Sequence, residues 1–112
     1  MIELIQDNRG AIMELCRQNS IRKLEVFGSA ATGAFDPASS DIDFVVDLGG
    51  YECGVAKRFL RFAYALEALL DRKVDLVTEA SITNPYFRYS VNQSRELLYE
   101  RGDSEAAADA AA

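Results

Sequence analysis

The chain has 112 residues and a net charge of −6, a length that suits one domain, and its 49% hydrophobic content is enough for one modest core. It contains no histidine, which excludes imidazole-based zinc sites, Ser-His-Asp triads and histidine general bases. No apolar run approaches the roughly 20 residues of a membrane span, and residues 1–17 lack the pattern of a secretory leader. Cys16 and Cys53 stand far apart without metal-ligand spacing, so they read as reduced thiols of a cytoplasmic protein. Asp103, Glu105 and Asp109 lie in the tail, leaving residues 1–102 with 15 acids against 12 bases, or −3. That balance disfavours the binding of long nucleic acid by charge.

Residues 2–19 carry Ile5, Ile12, Leu15 and Cys16 on one helical face, with Gly10 as a weak point. Residues 22–27 read as a strand with Leu24 and Val26 facing one way, ending at Gly28-Ser29, where the backbone is free to turn. Residues 30–40 form a turn-rich connection, in which Ser39 and Ser40 cap the next strand. Residues 41–48 alternate: Ile42, Phe44, Val46 and Leu48 face one side, and Asp41, Asp43, Val45 and Asp47 the other. Gly49-Gly50 ends that strand, and an amphipathic helix is expected over 55–70, with Lys57, Arg58 and Arg61 on its polar face.

Residues 72–78 form a third strand in which Val74 and Leu76 oppose Asp75 and Val77. Asn84-Pro85 reads as an N-cap and first helical residue, opening a helix to about residue 99 that aligns Phe87, Val91 and Leu98. Residues 102–112 form an acidic, alanine-rich tail expected to be disordered, which leaves 1–101 as one domain. The expected class is α/β, in the order α-β-β-α-β-α, with a small mixed sheet of three or four strands and helices packed mainly on one face.

Aspartate is depleted in strands and costly to desolvate, so Asp41, Asp43 and Asp75 call for an explanation. Positions i and i+2 of a strand lie about 6.6 Å apart on one face, and a neighbouring strand is about 4.8 Å away. If the second and third strands are adjacent, the long helix between them makes their connection a parallel crossover, close enough for Asp75 to join the other two. Three carboxylates that close need a counter-ion, and magnesium, with its preference for oxygen and phosphate ligands, supplies one. A pair of such ions would activate a hydroxyl and stabilise leaving pyrophosphate, while Gly28-Ser29 could offer N–H groups and a hydroxyl to the triphosphate. Asp47, farther along the same face, reads as a surface acid.

Gly28-Ser29, inside Val26-Phe27-Gly28-Ser29-Ala30-Ala31-Thr32-Gly33, and Asp41-Ile42-Asp43, which follows Ser29 after eleven intervening residues, resemble the signature of the DNA polymerase β-like nucleotidyltransferase superfamily. The short length resembles its minimal branch, the MNT antitoxins found beside HEPN toxins, and Lys73-Val74-Asp75-Leu76-Val77 matches the third carboxylate. The resemblance implies that Asp41, Asp43 and Asp75 hold a two-ion magnesium site and are catalytic, and that Gly28 and Ser29 touch ATP. It further implies AMP transfer to a tyrosine of a HEPN toxin, in a homo- or hetero-oligomer, with no membrane partner.

Thr32 stands where many relatives carry a loop arginine, so the phosphate-facing cation is either absent or supplied by Arg22, Lys57, Arg61 or a partner. Tyr86 and Tyr89 are open to three uses: packing at the core edge, stacking on adenine, or meeting a partner. Two further readings compete with the enzyme. One is a non-catalytic antitoxin that neutralises its partner by complex formation, and the other is a magnesium–nucleotide sensor.

Overall fold

The computed structural model describes residues 1–34, 36, 41–50 and 52–102. Its elements are α1 (Glu3–Asp7), α2 (Arg9–Gln18), β1 (Lys23–Phe27), α3 (Ser29–Thr32), β2 (Ile42–Asp47), α4 (Val55–Leu70), β3 (Val74–Thr78), α5 (Pro85–Ser94) and β4 (Glu96–Glu100). A 3₁₀ turn, Glu79–Ser81, follows β3. The sheet order is β3-β2-β1-β4, with β2 and β3 parallel and the other two pairings antiparallel. The mixed four-stranded sheet and the parallel crossover through α4 are as expected. The expectations for Ser39, Ser40 and the tail beyond Gly102 lie outside the described residues.

Period-two alternation divides the sheet into two faces. Leu24, Val26, Ile42, Phe44 and Val46 are buried with Ile5, Ile12 and Cys16 of the N-terminal helices and with Phe62 and Leu66 of α4. Each such side chain contributes about 1.5–3 kcal/mol when fully removed from water. The opposite face carries a smaller cluster of Phe27, Val45, Ile82 and Val91, the last from α5. Helices therefore lie mainly on one face, and α5 alone among the longer ones covers part of the other.

Three local expectations fail, the first for a local reason and the other two for tertiary ones. The first helix breaks at Asn8, whose φ of −105° and ψ of 10° leave the helical region, and the Asn8 amide donates to the Leu4 carbonyl at 2.8 Å. The connection after Gly28 opens as the short helix α3, because Ala30 and Ala31 are small enough to bury against the main core. The last helix stops at Ser94 rather than near residue 99. Arg95 is extended (φ −64°, ψ 135°), and Glu96–Glu100 pairs with the otherwise open edge of β1, burying Leu98 and Tyr99. Leu98 was in helical phase with Phe87 and Val91, but sheet pairing decides its state.

The polar face of α4 also differs from a plain solvated surface. Arg58 donates to the carbonyls of Asn19, Ser20, Leu48 and Gly50 and forms an ion pair with Glu52 at 2.9 Å. Arg61 donates to the Asn19 side chain at 3.0 Å, whereas Lys57 remains exposed. Arg58 thus ties the end of α2, the turn after β2 and the start of α4 together. Arg58→Ala should leave several of these carbonyls without a donor and lower stability by about 2–3 kcal/mol in urea unfolding, while Lys57→Ala changes it by less than about 0.5 kcal/mol.

Candidate active site

Three backbone segments meet at one end of the sheet: the last residues of β1, the start of β2 and the start of β3. The register puts Phe27 opposite Asp43, and Asp43 beside Asp75 on the parallel neighbour. Register partners on adjacent strands share a face, so the Asp43 and Asp75 side chains stand next to each other. Asp41 lies one residue before β2. It is exposed, as is Asp75, whereas Asp43 is half-buried.

Gly28 closes the other side of Asp43. Its φ of 71° and ψ of −148° suit glycine alone, and an added Cβ would stand 2.7 Å from Asp43 Oδ2. Glycine is therefore required twice here, by backbone conformation and by close approach. Ser29, half-buried, is the first residue of α3.

The electrostatics follow from this crowding. Burial, then the negative charges of Asp75 and Asp41, push the Asp43 carboxyl up from 3.8 to about 6. A carboxylate that senses two like charges is a donor set suited to a hard divalent cation with oxygen ligands. Among the described residues, no three carboxylate or thiol groups are drawn together into a finished metal cage. The expected meeting of Asp41, Asp43 and Asp75 is therefore not a preformed three-ligand set; the register brings Asp43 and Asp75 side by side, and Asp41 bears on Asp43 through its charge.

The other expected residues fall elsewhere. Asp47 pairs with Arg22 at 2.9 Å and accepts the Gly49 N–H at 2.9 Å, the surface acid expected. That pairing also fixes Arg22 at the far end of β1, and Arg61 is held by Asn19, so neither stands at Gly28. Lys57 lies in the first turn of α4, where Val55 and Ala56 line a cavity with Leu48 at the far end of β2. The basic residues that the fold does carry to the acidic end are Arg72 and Lys73, which lead into β3. Tyr86 and Tyr89 are 85% and 67% exposed and do not pack; Phe87 does, edge-on to Phe27 with centroids 6.0 Å apart.

One residue of this region escaped the sequence reading. Ser94, the last of α5, accepts the Gly28 N–H on its hydroxyl at 2.9 Å. Expecting the helix to continue past it hid its position, and 66 residues separate it from Gly28.

Comparisons with known proteins give the family and the fold. Residues 9–98 match the family model described as a nucleotidyltransferase domain. The chain belongs to that family. Two Methanocaldococcus jannaschii proteins, named "Putative protein adenylyltransferase MJ1379" and "Putative protein adenylyltransferase MJ0126", are each 34% identical to it. The alignments cover 70% of this chain and 76% of the first relative, and 77% and 83% for the second. A solved structure named "Structure of putative minimal nucleotidyltransferase" superposes with a TM-score of 0.66 at 29% identity, over 85% of this chain and 95% of the other. A crystal structure of a toxin-antitoxin with AMP-PNP gives 0.66 at 26% identity, over 88% of this chain and 78% of that one. A chain in the complex of tri-AMPylated Shewanella oneidensis HEPN toxin with MNT antitoxin shares the fold (TM-score 0.60, 23% identity, 90% and 76% covered). The chain is a nucleotidyltransferase.

The raised Asp43 carboxyl has a measurable consequence in the nucleotidyltransferase without divalent cation. The folded protein keeps this proton up to about pH 6, whereas the unfolded chain releases it near 3.8, so folding is favoured at low pH by the bound proton. Stability should fall as pH rises from about 4 to about 6. Asp43→Asn should flatten that fall and raise the melting temperature at pH 7.5, as calorimetry in EDTA would show.

Proposed function

We propose that this nucleotidyltransferase uses magnesium and ATP to place AMP on a hydroxyl of a partner protein, a tyrosine of a HEPN toxin, in the cytoplasm. The observation that carries the reading is the Asp43–Asp75 register beside Gly28, with Asp41 close enough for its charge to bear on Asp43. The relatives named as protein adenylyltransferases and the toxin-antitoxin neighbour with AMP-PNP support ATP as donor and a protein as acceptor.

In this reading Asp41 and Asp43 would hold magnesium, and Asp75 would help to hold the catalytic ion. Bound magnesium would neutralise charge on the α-phosphate and on leaving pyrophosphate. Gly28 lets the backbone approach the phosphates without a side chain, and Ser29 offers its hydroxyl to them. The acceptor hydroxyl attacks the α-phosphorus opposite the bond to pyrophosphate, and Asp75, on the exposed outer strand, accepts its proton. Catalysis is chiefly positioning and charge stabilisation, since the chain supplies no nucleophile of its own to the phosphorus.

The loop position filled by Thr32 offers no cation, which favours a weaker enzyme or a purely complex-forming antitoxin. Labelled ATP, magnesium and the partner protein separate the readings. The enzyme leaves label on the partner, and Asp41→Asn or Asp43→Asn lowers that transfer by about a thousandfold or more, consistent with the loss of electrostatic stabilisation at the phosphate. A stable, unlabelled complex with wild-type protein would leave only the binding module.

A further inference from the structure

We propose that Ser94 is a phosphate-binding residue of this site, its hydroxyl fixed by Gly28 and its proton presented to the nucleotide. The inference rests on the ATP reading above and extends the site to an element that the glycine–serine and aspartate motifs do not include.

A serine hydroxyl has one hydrogen to give and two lone pairs to fill. At Ser94 one lone pair takes the Gly28 N–H at 2.9 Å, so the O–H hydrogen points away from Gly28. Among the described residues that hydrogen has no protein acceptor. The Gly28 N–H is in turn removed from the set of donors open to phosphate, so the hydroxyl relays its role outward. A chain N–H to Oγ–H to a phosphate oxygen polarises at each step, which strengthens the last bond.

Position supports the same role. Gly28 is the residue against which Asp43 packs, so Ser94 Oγ lies within about 8 Å of the Asp43 carboxylate, at the rim of the acidic site. The hydroxyl is also held in place from behind. The next residue, Arg95, bonds Glu25 of β1 at 2.6 Å and Glu79 of the 3₁₀ turn at 2.7 Å. Arg88, two turns earlier, bonds Glu79 at 3.2 Å and the Ile82 carbonyl at 2.9 Å. Val91 is fully buried between these two arginines. An ion-paired cluster of this kind fixes the last turn of α5 relative to β1, and with it the direction of Ser94. A donor set in advance of binding contributes more than one that must first be ordered.

A latch that merely joins α5 to the glycine turn would make the same bond to Gly28, so the test needs a readout beyond folding. ATP affinity is measured calorimetrically in magnesium for wild type, Ser94→Ala and Ser94→Thr, with melting temperatures recorded alongside. The expected result is about a tenfold loss of ATP affinity in Ser94→Ala, the size of one hydrogen bond to a charged group, and recovery to within about threefold of wild type in Ser94→Thr. Should the alanine variant fail to fold, the threonine variant carries the test alone, and a loss of tenfold or more there overturns the assignment. Unchanged ATP affinity in Ser94→Ala also overturns it and leaves the nucleotide reading intact. Wild type that binds no ATP at all overturns both.

Discussion

The rest of the structure depends on one uncomfortable contact, a half-buried carboxylate pressed against a glycine and placed in register with a second carboxylate. Asp43 loses solvation and gains a negative neighbour in Asp75, and both effects oppose its ionisation. A fold that served stability alone would put an apolar residue there, as it does two positions on, where Val45 and Val77 pair on the same face. The sheet can sustain the arrangement because its other face is a continuous apolar layer against α2 and α4. Strain and charge sit at one end of β2, and the core that offsets them lies along the rest of it.

The same logic explains why the functional face is built differently from the core face. Beside the small cluster of Phe27, Val45, Ile82 and Val91 stands an ion network of Glu25, Arg95, Glu79 and Arg88. Glu25 is among the few buried charged residues, and Arg95 contacts it through two nitrogens, the bidentate geometry in which arginine and carboxylate match best. Apolar packing alone would hold α5 against the sheet but would leave it free to slide. Directional bonds at both ends of the helix fix its position along its axis, which the Ser94 contact with Gly28 requires.

How much of this was legible in the sequence follows from the range of each interaction. The strand faces of β2 and β3 could be read because a two-residue period is local, and the parallel crossover followed from the length of α4. Gly28 was readable as a turn, but its close approach to Asp43 was not, since that depends on register between strands. The end of α5 was misjudged because Leu98 happens to fall in helical phase, while its burial comes from pairing with β1, some 70 positions earlier in the chain. The role of Arg58 was hidden in the same way. Helical periodicity assigns it to a polar face, and only the folded chain brings four backbone carbonyls to its guanidinium.

The gradation of exposure across the acidic trio bears on how such a site divides its work. Asp43 is half-buried between Gly28 and Asp75, so it is the carboxylate whose charge most needs a cation and the one least able to reach solvent or a second reactant. Asp75 stands exposed on β3, the outer strand of the sheet, and Asp41 stands exposed just ahead of β2. The Gly28 side of Asp43 is occupied by protein, with α3 starting at Ser29 and Ser94 bonded to the Gly28 N–H. In the proposed reaction, donor phosphates would lie against the glycine and the acceptor against the outer strand. Arg72 and Lys73 lead into that same outer strand rather than into the loop where Thr32 sits. In the proposed reaction, positive charge beside that strand could meet an acidic partner as readily as a nucleotide.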